Sequence, residues 1–238
     1  LAVVVETVAR HAARVPVAET AFLAGWLVCG AGLAVPGPTP LTASAQALAV
    51  DPGTANVSGT VTAAWARGAG HVVVPVDRAG ELLIAVFSLA EPAGPRLLPG
   101  TNLAGEPRDT LVFVDCPLPE STAPAAAGLT PSAIVTRGAL ARAVQLGGAA
   151  DAVLGMCLRH AAEREQFGRP LNRFQAIQHM LAALAAEVTL VRTSAMAAVR
   201  AVAAGPDSAA LPVAAAKATA SASAATVASL GHQIHGAL

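Results

Sequence analysis

The spacing of apolar residues changes character twice along the chain. Val5, Val8, Ala9 and Ala12 recur at helical spacing, with Glu6, Arg10 and Arg14 on the other side. Pro16 opens a second helical stretch carrying Phe22, Leu23, Trp26 and Leu27, which Gly30 and Gly32 weaken. Pro36 to Pro40 reads as a linker. Beyond it the period shortens. Leu48-Val50, Val57-Val61, His71-Val76, Leu82-Ser88 and Thr110-Val114 are short apolar runs separated by turn chemistry such as Asp51-Pro52-Gly53 and Asp77-Arg78-Ala79-Gly80. Short runs at regular intervals predict an antiparallel sheet or small barrel, and His71 to Ser88 is the strongest hairpin.

After Pro124 the helical period returns and persists. It predicts helices from about Pro131 to Glu163, Phe174 to Ala204 and Asp207 to His235. Gly168 and Pro170 are expected to end the first, Gly205-Pro206 the second, with Asp207 or Ser208 as the next N-cap. Long helices joined by short turns imply an antiparallel bundle, its axes brought close by Gly147, Gly148, Ala150, Gly155, Ala182, Ala185 and Ala186. The expected fold class is α+β and multidomain. A short N-terminal helical segment (1–45) precedes a middle antiparallel β-domain (46–124) and a C-terminal antiparallel helical bundle (125–238).

Composition narrows the partners. Of 238 residues, 54% are hydrophobic and 13% charged, which excludes disorder, and the zero formal charge argues against nucleic acid. The charge-free apolar run from Ala21 to Val35 is shorter than the roughly 20 residues of a membrane span. With no signal-peptide pattern, the expectation is a cytoplasmic protein outside the membrane. Cys29, Cys116 and Cys157 stand in no ligand spacing and read as free thiols. His232 and His235 are a helical turn apart, but no carboxylate or cysteine joins them, so no metal is expected.

Charge in this sparsely charged chain gathers at one interhelical corner: Arg159, His160, Glu163, Arg164, Glu165, Arg169 and Arg173. Guanidinium groups so placed suit an anion such as phosphate, although a solvated loop with local ion pairs has the same composition.

The run Arg164-Glu165-Gln166-Phe167-Gly168-Arg169-Pro170-Leu171, continued by Phe174-Gln175-Ala176-Ile177-Gln178, resembles the signature of the acyl-CoA dehydrogenase family. Downstream, Gln233-Ile234-His235-Gly236-Ala237 resembles that family's Q-x-x-G-G segment, with Ala237 in place of the second glycine. The match covers about Ala139 to Leu238. It implies an FAD-dependent enzyme that oxidises an acyl-CoA to the trans-2-enoyl-CoA, with the flavin corner reaching across to a neighbouring subunit. The residues it implicates in FAD binding are Arg164, Gln166, Phe167, Gln175, Gln233, Ile234, His235, Gly236 and Ala237. Expected partners are an acyl-CoA substrate, an oligomer with an identical or different subunit, and an electron-transferring flavoprotein.

Other family features are weak. The reaction needs a carboxylate to remove the α-proton while flavin accepts hydride from the β-carbon. The family's glutamate stands either after the Q-x-x-G-G segment, beyond Leu238, or on the helix before the arginine motif, at about Gly138 between Arg137 and Ala139, and the catalytic residue is therefore unassigned. Asp151 is the nearest acid downstream on that helix. Ala49 to Thr54 and Ala64-Trp65-Ala66-Arg67 stand where the family carries its flavin loop and tryptophan strand, and Trp65 reads as a sheet or core residue. Retention of the corner that serves a neighbour's flavin, with loss of the chain's own site, implies the partner subunit of a hetero-oligomeric enzyme of actinobacterial sterol side-chain breakdown. The alternative is a non-catalytic scaffold that binds no flavin.

Overall fold

The computed structural model describes residues 1–205 and 208–236. The chain forms two compact units, one of residues 14–138 and one of residues 1–13 with the chain from 139 onward.

In the first unit a π-helical stretch, Ala18–Ala24, runs directly into α2 (Gly25–Gly30); α1 (Ala2–Arg10) belongs to the other unit. Eight strands follow: β1 (Leu41–Ala43), β2 (Leu48–Ala49), β3 (Asn56–Ala64), β4 (His71–Arg78), β5 (Glu81–Ser88), β6 (Arg96–Leu98), β7 (Arg108–Pro117) and β8 (Thr122–Pro124). They make a five-stranded sheet, ordered β1-β4-β5-β8 with β2 also on β4, and a three-stranded sheet, β3-β7-β6. The expected hairpin is β4–β5, paired from His71↔Ser88 to Arg78↔Glu81. Its tip, Ala79 (φ 51°) and Gly80 (φ 89°), is a two-residue turn with both φ positive, the geometry that follows strand twist. The Gly80 N–H donates to Asp77 Oδ1 at 2.7 Å.

The uninterrupted apolar run of β4 reflects burial on both faces. Val72, Val74 and Val76 face the core between the sheets, where Phe87 meets Phe113 edge-on at 5.0 Å. Val73, with Ile84 and Val86 of β5, packs instead on Ala24, Leu27, Val28 and Ile134. One detail departs from the all-antiparallel expectation: β1 and β2 pair with β4 in parallel. The long β3 lies in the other sheet between them in sequence, and such a crossover returns the chain in the same direction. β1 pairs as far as Val73 and β2 resumes at Val76, so Pro75 falls in the gap where its missing N–H costs no bond on that edge.

An ion pair locks the far end of this unit. Asp109 is fully buried and accepts from Arg67 Nε at 2.9 Å, the Arg67 backbone N–H at 2.8 Å and the Gly100 N–H at 3.1 Å. Burial pushes its carboxyl up, but these hydrogen bonds outweigh it and hold the group below its ordinary value. Trp65 stands beside this lock in a left-handed conformation (φ 61°), its N–H donating to Pro107 O at 3.0 Å.

The second unit holds α1, α4 (Gln175–Ala204), α5 (Ala210–His235) and the body of α3 (Pro131–Glu163). Ala150, Cys157, Leu184, Val188, Val227 and Ile234 form its core. Close approach falls at two glycines. A Cβ on Gly148 would lie 2.2 Å from Glu6 O of α1, and one on Gly231 2.9 Å from a Val153 methyl. Ala182 and Ala186, expected at helix contacts, are exposed. Helix α4 is long and apolar enough to cross a membrane by length and composition, which the expected exclusion of spans did not foresee. Its buried face, Leu184, Val188, Val191, Ala195 and Ala198, belongs to the bundle. Asp151 ties three helices together, receiving Arg10 Nε at 3.1 Å and Arg192 Nη1 at 3.0 Å, while Arg192 Nε reaches Glu6 at 3.1 Å.

The expected caps differ. Gly168 does not end α3, which stops at Glu163. Pro206 and Asp207 lie outside the described residues, as does Ala237. Ser208 does not cap α5, whose N-cap is Ala209; its hydroxyl lies 3.0 Å from both Ala201 O and Gly205 O and shares its one proton between these carbonyls where α4 ends.

Candidate functional site

Between α3 and α4 the signature run folds into a small hairpin. The Arg164 N–H donates to His160 O at 2.9 Å and closes the last turn of α3. β9 (Glu165–Gln166) then pairs with β10 (Arg169–Pro170), with Arg169 opposite Gln166. Phe167 (φ 52°) and Gly168 (φ 74°) make the tip, so the glycine serves a tight strand turn rather than a helix cap. Phe167 occupies a left-handed position unusual for an aromatic residue and is 93% exposed. Its ring meets Phe174 edge-on at 6.3 Å, and the Arg169 guanidinium lies 4.1 Å over the Phe174 ring. A 3-10 turn, Leu171–Arg173, leads to Phe174, the N-cap of α4, which offers no side-chain cap.

This corner presents unspent hydrogen-bonding groups. The first N–H groups of α4 lack intrahelical acceptors, as in any helix, and carry the positive end of its dipole. Arg164 is exposed and its side chain has no hydrogen-bond or ion-pair partner among the described residues. Gln166 and Gln175 are exposed, and Asn172 Oδ1 is buried without a partner.

The end of α5 joins the same end of the bundle. The His235 ring stacks on His160 of α3, with centroids 4.5 Å apart and planes at 28°. Its Nδ1–H donates to Gly231 O at 2.8 Å, and Cys157 Sγ lies 3.8 Å away. Burial pushes the Cys157 thiol up, which keeps it protonated and unreactive. Gly236 is the left-handed cap of α5 (φ 74°), and Gln233 is exposed. Ile234 needs correction as a side-chain contact: it is 2% exposed and belongs to the bundle core, because helical periodicity turns it inward between Gln233 and His235. The Nδ1–H of His232 donates to Ala228 O at 2.7 Å, within its own helix. The sequence offered no local signal for the pairing of His160 with His235, since the two lie on different helices.

The position expected for a catalytic base is quite unlike this corner. Gly138 borders a cavity of about 150 Å³ whose walls include Leu23, Ala43, Ser44, Ile134 and Val135, with no carboxylate. Arg137 turns away, its guanidinium between the rings of Phe22 (4.8 Å) and Trp26 (4.7 Å) and its Nε donating to Phe22 O at 2.7 Å. Asp151, the nearest acid in sequence, is engaged by its two arginines. Asp51 is a turn residue, accepting from Gly53 and Thr54 N–H at 2.7 and 3.1 Å.

Residues 132–238, which hold the hairpin, α4 and α5, match the family model described as acyl-CoA dehydrogenase, C-terminal domain. That stretch, under half of the 238 residues, is similar to the C-terminal domain of the acyl-CoA dehydrogenase family. FAD is the cofactor of this family, whose members are oxidoreductases acting on CH–CH bonds. Benzylmalonyl-CoA dehydrogenase of Aromatoleum aromaticum is 52% identical over 52 residues, which span 20% of this chain and 14% of that protein. The ChsE4-ChsE5 complex from Mycobacterium tuberculosis has the same fold (TM-score 0.84, 21% identity, 99% of this chain and 69% of that one). So does the steroid ACAD Tcur3481-Tcur3483 (TM-score 0.83, 23% identity, 99% and 69%). The acyl-CoA dehydrogenase architecture therefore extends through the β-rich unit, where sequence motifs are weak.

Proposed function

We propose that this chain is the partner subunit of a hetero-oligomeric FAD-dependent acyl-CoA dehydrogenase, completing a flavin site whose base and acyl pocket come from another polypeptide. The observation that carries the reading is a contrast within one chain: the Arg164 corner faces solvent with its donors unspent, while the cavity beside Gly138 has no acid. The corner suits FAD. The Arg164 guanidinium and the uncapped α4 N-terminus are complementary to a pyrophosphate. The Gln175 and Gln233 amides and the Gly236 turn offer polar contacts, and Phe167 an aromatic face. Bound there, the flavin supplies the hydride acceptor for oxidation of an acyl-CoA to the trans-2-enoyl-CoA. Relatives named as a steroid ACAD and as a two-component complex favour a steroid side-chain thioester as substrate and a non-identical subunit. An electron-transferring flavoprotein in the cytoplasm completes the proposed setting.

A scaffold that keeps the fold and binds no flavin is the second reading, favoured by the acid-free cavity at Gly138. Visible absorbance of the purified chain, alone and co-expressed with its genomic neighbour, separates the two. Flavin peaks that appear only with the partner support the shared site. Colour in neither preparation favours the scaffold, and a lone chain that binds flavin and is bleached by an acyl-CoA refutes both.

A further inference from the structure

The two flavin-corner motifs lie on different helices, and something must hold them at a fixed separation. We infer that His160, which belongs to neither motif, is the positioning residue that couples them. Its backbone carbonyl accepts the Arg164 N–H at 2.9 Å and so sets the last turn of α3, from which the Arg164 side chain departs. Its ring stacks on His235 at 4.5 Å. His235 is in turn anchored to its own helix through Gly231 O at 2.8 Å, and the next residue is the left-handed Gly236 cap. One residue therefore touches both halves of the corner, through the main chain on one side and an aromatic face on the other.

Cys157, 3.8 Å from the His235 ring nitrogen, and Ile234 belong to the bundle core with Leu184 and Val188 rather than to the Arg164 turn. His160 is also the link that can be cut selectively. Replacing its ring leaves the carbonyl bond to Arg164 in place and removes only the stack. A phenyl ring keeps the stacking surface without the imidazole nitrogens, so the coupling requires an aromatic face and no proton transfer.

The functional consequence rests on the shared-flavin reading, whereas the structural coupling does not. The test uses the wild-type chain, His160→Ala and His160→Phe, each co-expressed with the partner subunit. Amide hydrogen exchange is followed at Gln233 to Gly236, and FAD affinity by flavin fluorescence. An aromatic pair of this kind governs an equilibrium by about threefold to tenfold. His160→Ala is expected to speed exchange at these amides and weaken FAD binding by that factor, and His160→Phe to restore both. Unchanged exchange in the alanine variant overturns the coupling. So does faster exchange with undiminished FAD affinity, or failure of phenylalanine to restore it. A wild-type complex that takes up no FAD sinks the shared-flavin reading instead, and the exchange arm still decides whether His160 couples the helices.

Discussion

Gly148→Ala is a substitution for which local and tertiary physics predict opposite signs. In mid-helix, alanine is favoured over glycine by about 1 kcal/mol, so α3 alone would gain. The packing says otherwise. An added Cβ would lie 2.2 Å from Glu6 O, 3.0 Å from its carbonyl carbon and 3.2 Å from the Arg10 nitrogen. All three are backbone atoms of α1, with no rotamer to relieve the overlap. Helix α1 must shift by about 1 Å or detach, because carbon–oxygen contacts settle near their van der Waals distance. At nine residues it is too short to persist unsupported. Detachment exposes Val5, now 1% exposed, at about 2 kcal/mol, and breaks the Glu6–Arg192 and Arg10–Asp151 pairs, half-exposed and together worth about 1 kcal/mol. Set against the propensity gain, the net loss is about 2 kcal/mol. Urea unfolding monitored by circular dichroism would measure it, with the Arg192→Ala background testing whether the ion pairs share in the loss. A raised midpoint for Gly148→Ala would refute the close approach of α1 to α3.

Two further predictions concern single side chains. Arg164→Ala, which removes no side-chain hydrogen bond or ion pair among the described residues, should leave the melting midpoint unchanged yet weaken FAD binding by the partner complex about tenfold or more, read by flavin titration. For Asp109, the folded carboxyl titrates below its unfolded value of about 3.9. Its contribution is thus fully present above about pH 4 and is lost as pH falls through the folded value. Asp109→Asn should lower stability at neutral pH and flatten the acid limb of a midpoint-against-pH series, and an unchanged acid limb would show that other carboxylates dominate there.

Much of the architecture was legible from local pattern. The 3.6-residue period located α3 and α4 to within a residue at each end, and the turn residues Asp77 to Gly80 marked the β4–β5 hairpin. These features are short-range: backbone preference and alternation act over a few positions, so a linear reading finds them. The arginine corner was legible as a local concentration of charge in a chain poor in it, whereas the glutamine segment was found through its resemblance to the family's Q-x-x-G-G run.

What the linear order left open concerns groups far apart in sequence. Parallel pairing of β1 and β2 with β4 follows from β3 crossing to the other sheet, which no local period encodes. Gly168 looked like a helix stop, but pairing of Glu165-Gln166 with Arg169-Pro170 made it a hairpin tip. Ile234 read as part of a cofactor motif until the bundle turned it inward, and His160 became the neighbour of His235 only when α3 and α5 packed side by side. The sequence by itself determined which segments are helix or strand and which short runs resemble the family's motifs. The tertiary structure decided which of those residues face solvent with donors unspent and which are consumed in the core, because burial and pairing belong to the packed chain and not to any one segment of it.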